Sequence, residues 1–296
     1  MAQPLFIRLR EQHPGARLDA LAPPWVAPVL RRMPEVDEVI EADLRHGSLQ
    51  LAERWRVARR LKDRAYDRAI VLPNTVKSAL IPFFAGVPVR AGYGRPGLLN
   101  RVVRGGAQDG AMSLYYARLS GEEPVPPLPV PRLAAKPSDT AARFGIAGSY
   151  IALCPGAEYG PAKRWPYFKE LAARLGSQAV VLGSPGDRES CVDIPGTNLV
   201  GRTTLVEAID LIAGARAVVS NDSGLMHVAA ATGAPMVALF GSSSPERTPP
   251  LSPKARVLWL KVECSPCFAR VCPLGHFKCM KELSVERVLD EMKALP

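Results

Sequence analysis

Short apolar runs alternate with amphipathic segments along the whole chain. The apolar runs predict strands at residues 18–21, 68–72, 88–90, 151–154, 179–182, 217–220, 236–240 and 257–260. The amphipathic segments predict helices at 49–62, 166–175 and 205–213, where apolar residues recur at helical spacing. Continuous apolar strands that alternate with helices are typical of parallel sheets covered on both faces. We therefore expect an α/β protein.

A proline-rich stretch at residues 123–137 interrupts this alternation. Proline lacks a backbone N–H and fixes φ, so such a stretch favours an extended connector. The length of 296 residues also exceeds that of one typical domain. We therefore expect two domains, residues 1–140 and residues 141–296, the second ending in a C-terminal helix. Such domains bind ligands at the carboxyl ends of their strands.

The composition, with 47% hydrophobic and 22% charged residues, is that of an ordinary globular protein. No apolar run approaches the roughly 20 residues of a membrane span, and the first residues do not resemble a secretory signal. A cytoplasmic location is therefore expected.

The formal net charge is +10, and an Arg-rich segment over residues 54–64 contributes to it. One interpretation is a solvated helix face, and the other is attraction to an anionic partner in the N-terminal half. No recognition helix or RNA-binding motif accompanies the charge, so nucleic acid is not the expected partner. An anionic lipid surface or a phosphorylated glycolipid fits the charge instead.

A polar motif follows the apolar strand predicted at 217–220 and precedes an Ala-rich helix. Asp222 or Ser223 is placed to cap this helix, and Gly224 allows a ligand to approach the backbone closely. The free N–H groups at a helix start suit a phosphate or pyrophosphate, whereas the Asp222 carboxylate suits sugar hydroxyls. An ordinary capped helix remains the alternative.

Two further polar loops follow predicted strands. Residues 155–166 combine glycines with Lys163 and Arg164, which suits a second phosphate-binding loop. The loop lacks the spacing of a Walker motif, so ATP hydrolysis is not indicated. After the strand at 179–182, Asp187 and Glu189 are candidates to bind ribose hydroxyls. For the loop with Lys163 and Arg164, a surface loop with two ordinary charges is the alternative.

Long stretches of the sequence resemble glycosyltransferase family 9, the heptosyltransferases. In the second half these are CPGAEYGPAKRWP, NDSGLMHVAAATGAPMVALFGSSSPERTPPL and CSPCFARVCPLGHFKCM. In the first half they are LAPPWVAPVLRRMPEVDEVI and YDRAIVLPNTVKSALIPFFAGVPVRAGYG. The resemblance implies a GT-B fold, in which two Rossmann-like domains face each other across a cleft.

The same resemblance implies an activity. It is the inverting transfer of heptose from ADP-L-glycero-D-manno-heptose to the heptosyl-Kdo2-lipid A inner core of lipopolysaccharide, without a catalytic metal. The enzyme would act as a peripheral protein at the inner face of the cytoplasmic membrane. The branch of the family that adds the first heptose is the alternative, as is a donor-binding member without activity.

The resemblance also assigns roles to individual residues. In the donor domain, Asp222 would bind heptose hydroxyls and Lys163 would neutralise the leaving phosphate, as the catalytic pair. The remaining donor-binding positions are Ser223, Gly224 and Leu225 at the pyrophosphate, with His227 behind it, and Arg164 and Asp187. A lone helical histidine is more often structural. In the first domain, Lys77 and Arg90 would face the anionic acceptor.

The family pattern begins with a strand and a loop that carries an aspartate, the general base. The sequence from Met1 resembles the helix after that loop, so we expect the first strand and the aspartate to be missing. Asp19 is not a match for the aspartate. A chain without the base is expected to bind donor and to transfer heptose slowly, because general-base catalysis contributes about 10²–10⁴-fold.

Four of the six cysteines cluster near the C-terminus: Cys264, Cys267, Cys272 and Cys279, with His276 among them. Their spacing is compatible with a structural zinc site, although it is not a double CxxC motif. A loop of reduced thiols is the alternative, since a cytoplasmic protein rarely keeps disulfides.

Overall fold

The computed structural model of the chain describes residues 1–45, 47–94, 96–106, 110–121, 123 and 126–296. These residues form two compact units. One comprises Met1, Arg32–Pro34 and Val130–Pro296, and the other comprises Ala2–Arg31 and Glu35–Pro129. We call them the C-terminal and the N-terminal unit.

The N-terminal unit contains two small parallel sheets. Its elements are α1 Gln3–Gln12, β1 Asp19–Ala22, α2 Ala27–Leu30, β2 Glu38–Glu41, α3 Leu51–Lys62, β3 Arg68–Val71, α4 Val76–Phe84, β4 Val89–Gly92, β5 Arg101–Val102 and α5 Met112–Ala117. Strand β1 pairs with β2, and β4 lies between β3 and β5. Helices α3 and α4 pack together over one apolar cluster that includes Val57, Ala58 and Ile81.

The C-terminal unit contains a six-stranded parallel sheet in the order β11-β10-β9-β6-β7-β8. Its elements are α6 Pro137–Arg143, β6 Ile151–Cys154, α7 Phe168–Leu175, β7 Ala179–Val181, α8 Arg188–Cys191, β8 Thr197–Asn198, α9 Leu205–Gly214, β9 Ala217–Asn221, α10 Gly224–Thr232, β10 Met236–Phe240, β11 Ala255–Trp259, α11 Lys278–Lys281 and α12 Val285–Lys293.

Every residue of β6, β9 and β10 is buried, which explains their continuous apolar sequences. Helix α9 begins with a capping box, because the Thr204 hydroxyl accepts from Glu207 N–H and the Glu207 side chain reaches back to Thr204. Helix α7 buries Phe168, Leu171 and Ala172 in the core beneath the sheet.

The structure confirms the predicted α/β class, and most predicted strands and helices exist within one or two residues. Strands β2, β5 and β8 were not predicted from the sequence: β5 and β8 have two residues each, and β2 begins and ends with glutamate.

One prediction about the connector is wrong. Pro137 is not extended, since it opens helix α6, where its missing N–H costs nothing because the first N–H groups of a helix have no partner within the helix. Helix α6 then packs against α9. Pro124, another residue of the predicted connector, lies outside the described residues. None of the helices in the described ranges combines the length and apolar character needed to cross a bilayer.

Candidate active site

The order of the strands places the candidate site in the C-terminal unit. The chain goes from β6 to β7 on one side of the sheet, and later places β9 on the other side of β6. The loops after β6 and β9 therefore diverge at a topological switch point, where open parallel sheets bind their ligands. These are the loops that carry Lys163 and Asp222.

The centre of the site is an ion pair between Lys163 and Asp222. Lys163 Nζ lies 2.5 Å from Asp222 Oδ2, and the two side chains are only 14% and 4% exposed. Ser243 Oγ donates to the same carboxylate oxygen at 2.6 Å, and Thr248 Oγ1 donates to Oδ1 at 3.2 Å. The carboxylate is thus held in place from three sides.

Asn221 joins the two loops beneath this pair. Its side-chain N–H donates to Pro155 O at 2.7 Å, and its Oδ1 accepts from Trp165 N–H at 3.1 Å. Both hydrogen bonds are buried, and Asn221 is itself fully buried. Because both ends of the Lys163 loop are bound to one amide, the position of Lys163 depends on the end of β9.

Helix α10 begins beside Asp222 with its first turn open. Ser223 occupies the N-cap position, but its side chain makes no capping hydrogen bond, and Asp222 is held by Lys163 instead. The predicted side-chain cap is therefore wrong. A Cβ added to Gly224 would meet nothing within 4 Å, so a ligand can approach the N–H groups of this turn, including that of Leu225.

Two other predicted donor residues, Asp187 and Arg164, differ in whether their side-chain polar atoms have partners. Asp187 Oδ2 accepts from Ser184 N–H at 3.0 Å and from Ser184 Oγ at 2.6 Å, and this carboxylate fills the space beside Gly156. Arg164 has the opposite arrangement, because its Nε is buried and has no hydrogen-bond partner. Roles for Asp187 and Arg164 toward a donor remain predictions.

His227 lies on the first turns of α10, partly buried. Burial, with a smaller contribution from nearby positive charges that include Lys163, lowers its pKa to about 4, although Asp222 acts in the opposite direction. Burial thus favours the neutral imidazole, and the role of His227 toward a donor stays a prediction.

A segment rich in cysteine packs on the Lys163 loop. The Tyr159 hydroxyl donates to Phe268 O at 2.5 Å, Ala162 N–H donates to Arg270 O at 3.1 Å, and Arg270 Cζ lies 5.4 Å from the Tyr159 ring centre. The other neighbour of that ring is Lys163, whose Nζ lies 4.8 Å from the centre. The segment thus supports the lysine of the ion pair.

The four clustered cysteines, Cys264, Cys267, Cys272 and Cys279, border one small cavity of about 20 Å³ together with His276. Backbone N–H groups, first that of Phe277 and then those of Leu274, Gly275 and His276, lower the pKa of Cys272. Within the described ranges, no three His, Cys, Asp or Glu side chains are placed as ligands of one metal ion. The zinc site remains a prediction.

The predicted acceptor residues, Lys77 and Arg90, lie in the N-terminal unit. Lys77 Nζ reaches Ser48 O at 3.4 Å, and Arg90 donates to Leu98 O and Val87 O at 2.7 and 2.6 Å. Arg90 therefore has a structural task, and its contact with an acceptor stays a prediction.

Near the start of α4, at the carboxyl ends of β3 and β4, is a cavity of about 310 Å³. It is lined by residues of both strand ends, including Val71, Asn74, Val76, Tyr93 and Leu99.

Sequence reasoning missed Ser243 and Thr248. The signal was present, because Gly241 and three serines follow strand β10, in the same strand-end pattern that revealed Asp222. Ser243 lies within this polar run and is nevertheless buried, which only the folded structure shows.

Comparison with known proteins finds matches over most of the chain. The family model "Glycosyltransferase family 9 (heptosyltransferase)" matches residues 54–278. Lipopolysaccharide heptosyltransferase 2 of Escherichia coli K12 is 41% identical, with 100% of this chain and 94% of the relative covered. Lipooligosaccharide heptosyltransferase 2 of Haemophilus influenzae is also 41% identical, over 88% and 84% of the two chains.

Solved structures give the same result for the fold. The ADP-heptose LPS heptosyltransferase II of E. coli superposes with a TM-score of 0.87 at 39% identity, covering 99% of this chain and 93% of that one. This match confirms the predicted GT-B class. The matches over nearly the whole chain show that it is an enzyme of glycosyltransferase family 9, the heptosyltransferase family.

Proposed function

We propose that this enzyme transfers heptose, with inversion, from ADP-L-glycero-D-manno-heptose to the heptosyl-Kdo2-lipid A inner core. The observation that carries the proposal is the buried Lys163–Asp222 pair beside the open first turn of α10. Relatives named lipopolysaccharide heptosyltransferase 2, and a solved relative named for ADP-heptose, support the substrates.

In the proposed reaction, an acceptor hydroxyl oxygen bonds to the anomeric carbon of heptose while the bond from that carbon to the ADP oxygen breaks. The hydroxyl proton leaves to a base, and ADP departs with an additional negative charge. The N–H groups of Ser223, Gly224 and Leu225 and the Lys163 ammonium would stabilise that charge. Asp222 would orient heptose by accepting hydrogen bonds from its hydroxyls.

The ion pair has a consequence for donor binding. With Asp222 as its partner, the Lys163 ammonium lies at the switch point without an external anion, so burying it costs less than burying a lone charge. A bound pyrophosphate would compete with Asp222 for this ammonium. Asp222 would then retain Ser243 and Thr248, which keep the carboxylate in place.

The test is to mix the enzyme with ADP-heptose and purified acceptors, then measure ADP release and the mass of the product. We expect a gain of one heptose on heptosyl-Kdo2-lipid A. We expect Asp222→Asn to lower kcat/KM by about 10- to 100-fold, since a charged hydrogen bond contributes about 1.5–3 kcal/mol. Asp193→Asn is the control, because Asp193 is 76% exposed.

Two outcomes would redirect the proposal. Faster transfer to Kdo2-lipid A, which lacks the first heptose, would favour the other branch of the family. ADP-heptose binding without transfer to either acceptor would favour a donor-binding member without activity. We also propose that the enzyme works as a peripheral protein at the inner face of the cytoplasmic membrane, where the lipid-linked acceptor is embedded.

A further inference from the structure

Helices α3 and α4 leave a group of large apolar side chains exposed on the N-terminal unit. Leu51 and Trp55 of α3 are each 51% exposed, and Val76 and Phe83 of α4 are 57% and 42% exposed. With the partly buried Phe84, we call these residues the α3–α4 surface. A group of exposed apolar side chains on a protein surface indicates a binding site for another molecule or for a membrane.

These side chains form one continuous surface. The ring centres of Trp55 and Phe84 lie 5.2 Å apart, and those of Phe84 and Phe83 lie 5.9 Å apart. Leu51 is one helical turn before Trp55, and Val76 is two turns before Phe83, so each lies on the same helix face as its partner.

Positive charges border the surface on α3. Arg59 and Lys62 follow Trp55 by four and seven residues, so they share its helix face, and both are exposed. In the described part of the chain, neither has a carboxylate within ion-pair distance, whereas the neighbouring Arg56 is paired with Glu53. Asp63, at the end of the helix, is the nearest acidic residue in sequence.

This combination fits the boundary of a lipid bilayer. Tryptophan and phenylalanine rings settle among headgroups and acyl chains, and adjacent arginine and lysine side chains attract anionic lipids. A protein partner of ordinary composition would not require unpaired cations beside the aromatic rings. Of the two interpretations of the Arg-rich segment, attraction to an anionic partner is the one that this arrangement favours.

The surface also leads to the cavity of the N-terminal unit. Val76 belongs to both, since it begins α4 and lines the 310 Å³ cavity with Tyr93 and Leu99. A lipid-linked acceptor could thus remain in the bilayer while its sugars reach the cavity.

We propose that the α3–α4 surface docks this enzyme on an anionic phospholipid bilayer. This inference rests on the proposed function in one respect, because the acceptor of that reaction is lipid-linked. The binding itself requires only the surface and the bilayer, so it can be tested without donor or acceptor.

The experiment is flotation of the full chain with vesicles of phosphatidylethanolamine containing phosphatidylglycerol, compared with vesicles of phosphatidylcholine alone. We expect binding to the anionic vesicles that weakens as salt is raised. The double variant Arg59→Glu/Lys62→Glu should bind at least about tenfold more weakly, given roughly fivefold per basic residue near the membrane. Trp55→Ala should also weaken binding.

Lys254→Glu/Lys293→Glu is the matched control, since it makes the same charge change at exposed sites of the C-terminal unit. Equal binding of the two double variants, or equal binding to both kinds of vesicle, would overturn the proposal. Thermal unfolding of each variant excludes misfolding, which is not expected at these exposed positions.

A second measurement separates this proposal from the proposed function. Arg59→Glu/Lys62→Glu should transfer heptose normally to a deacylated, soluble acceptor and slowly to the acylated acceptor embedded in anionic vesicles. Normal transfer in both cases would overturn the docking surface alone. Failure of the unchanged enzyme on the soluble acceptor would instead overturn the proposed function.

Discussion

Lys163 offers the sharpest test of a single residue in the donor site, because its charge has a specific expected target. We expect Lys163→Met to weaken ADP binding by about tenfold or more, since a charged hydrogen bond contributes about 1.5–3 kcal/mol. Adenosine lacks phosphate, so its binding should change little. Calorimetry with both ligands measures the difference.

Lys169→Met is the control for this substitution, because Lys169 is 66% exposed on α7. An equal loss of ADP and adenosine affinity in Lys163→Met would mean that the lysine supports the loop and not the phosphate. Lys163→Met also breaks the ion pair, which leaves the Asp222 carboxylate buried without its cation.

His227 predicts a pH dependence of stability. Its folded pKa of about 4 lies below the ordinary value of 6.5, so between these values the unfolded chain binds the proton and the folded chain does not. Stability is therefore retained above pH 6.5 and lost as the pH falls toward 4. We expect a loss of about 2 kcal/mol, less than the full shift implies, because the residue keeps some solvent contact.

Urea unfolding of the wild type and of His227→Gln at several pH values measures this dependence. The difference between the two proteins isolates the histidine, because the carboxylates titrate in both. Parallel stability curves from pH 6.5 to 4 would show that the imidazole is protonated as easily in the folded state as in the unfolded one.

For single residues, the sequence predicts which side chains follow a strand, but not which groups they contact. Lys163 and Asp222 were identified because each follows an apolar strand, and the structure brings them into contact. Their partners Ser243 and Thr248 were missed, since a serine run after a strand reads as an exposed loop. Only the folded loop after β10 shows that these two hydroxyls reach the Asp222 carboxylate.

Among the loops and secondary-structure elements, the contact of the cysteine segment with the Lys163 loop depends on a glycine. Gly160 has φ of +145°, and a Cβ there would lie 2.4 Å from Arg270 O. We expect Gly160→Ala to separate the two segments, lower the melting temperature and weaken donor binding. Differential scanning fluorimetry with and without ADP measures both effects.

Gly148→Ala is the control, because Gly148 also has positive φ, +74°, but a Cβ there would meet nothing within 4 Å. This variant therefore carries only the backbone strain, of the order of 1 kcal/mol. If both variants behave alike, the close approach of the two segments is not what positions Lys163.

The cysteine segment itself can be tested for zinc. The four thiols border one cavity without converging on a point, so zinc binding would require their side chains to turn inward. A four-thiolate site predicts about one zinc per chain by elemental analysis, lost in Cys272→Ser and kept in Cys191→Ala. Buried Cys191 lies outside the cavity lining and serves as the control.

The alternative to a zinc site, a loop of reduced thiols, also predicts a specific experimental result. Reduced thiols predict no metal after purification without chelators, and rapid reaction of the exposed Cys267 with a thiol reagent. The sequence spacing could not decide between these cases, because it gives the order of the cysteines and not the directions of their side chains.

In the molecule as a whole, one buried ion pair joins distant parts of the chain. Arg32 lies 3.0 Å from Asp210 within the C-terminal unit, and their side chains are 16% and 5% exposed. Asp210 also accepts from Lys136 N–H and Thr140 Oγ1. We expect Arg32→Met to lower the free energy of unfolding by about 3 kcal/mol, because it leaves a buried carboxylate without its cation.

Denaturant unfolding of Arg32→Met, Asp210→Asn and the double variant forms the test. The double variant should lose less than the sum of the single variants, since neither group is then buried alone. Additive losses would show that the two charges act independently. Arg31→Met is the control, because Arg31 is a half-exposed neighbour paired on the surface with Glu41.

The hydrophobic pattern predicted the two parallel α/β halves, because strand and helix periods are local properties of sequence. It did not predict that Arg32–Pro34 belong to the C-terminal unit. This assignment depends on the contact between Arg32 and Asp210, which are 178 positions apart, so no local window of sequence contains both residues.

The position of Arg32 also affects the order in which the chain can fold during translation. Translation at about 5–20 residues per second makes Arg32 roughly 10–35 s before Asp210 exists to receive it. During that interval residues 35–129 are complete and can fold. The segment Arg32–Pro34 still lacks its partners in the C-terminal unit. A segment that is translated long before its partner is therefore among the last to reach its native contacts.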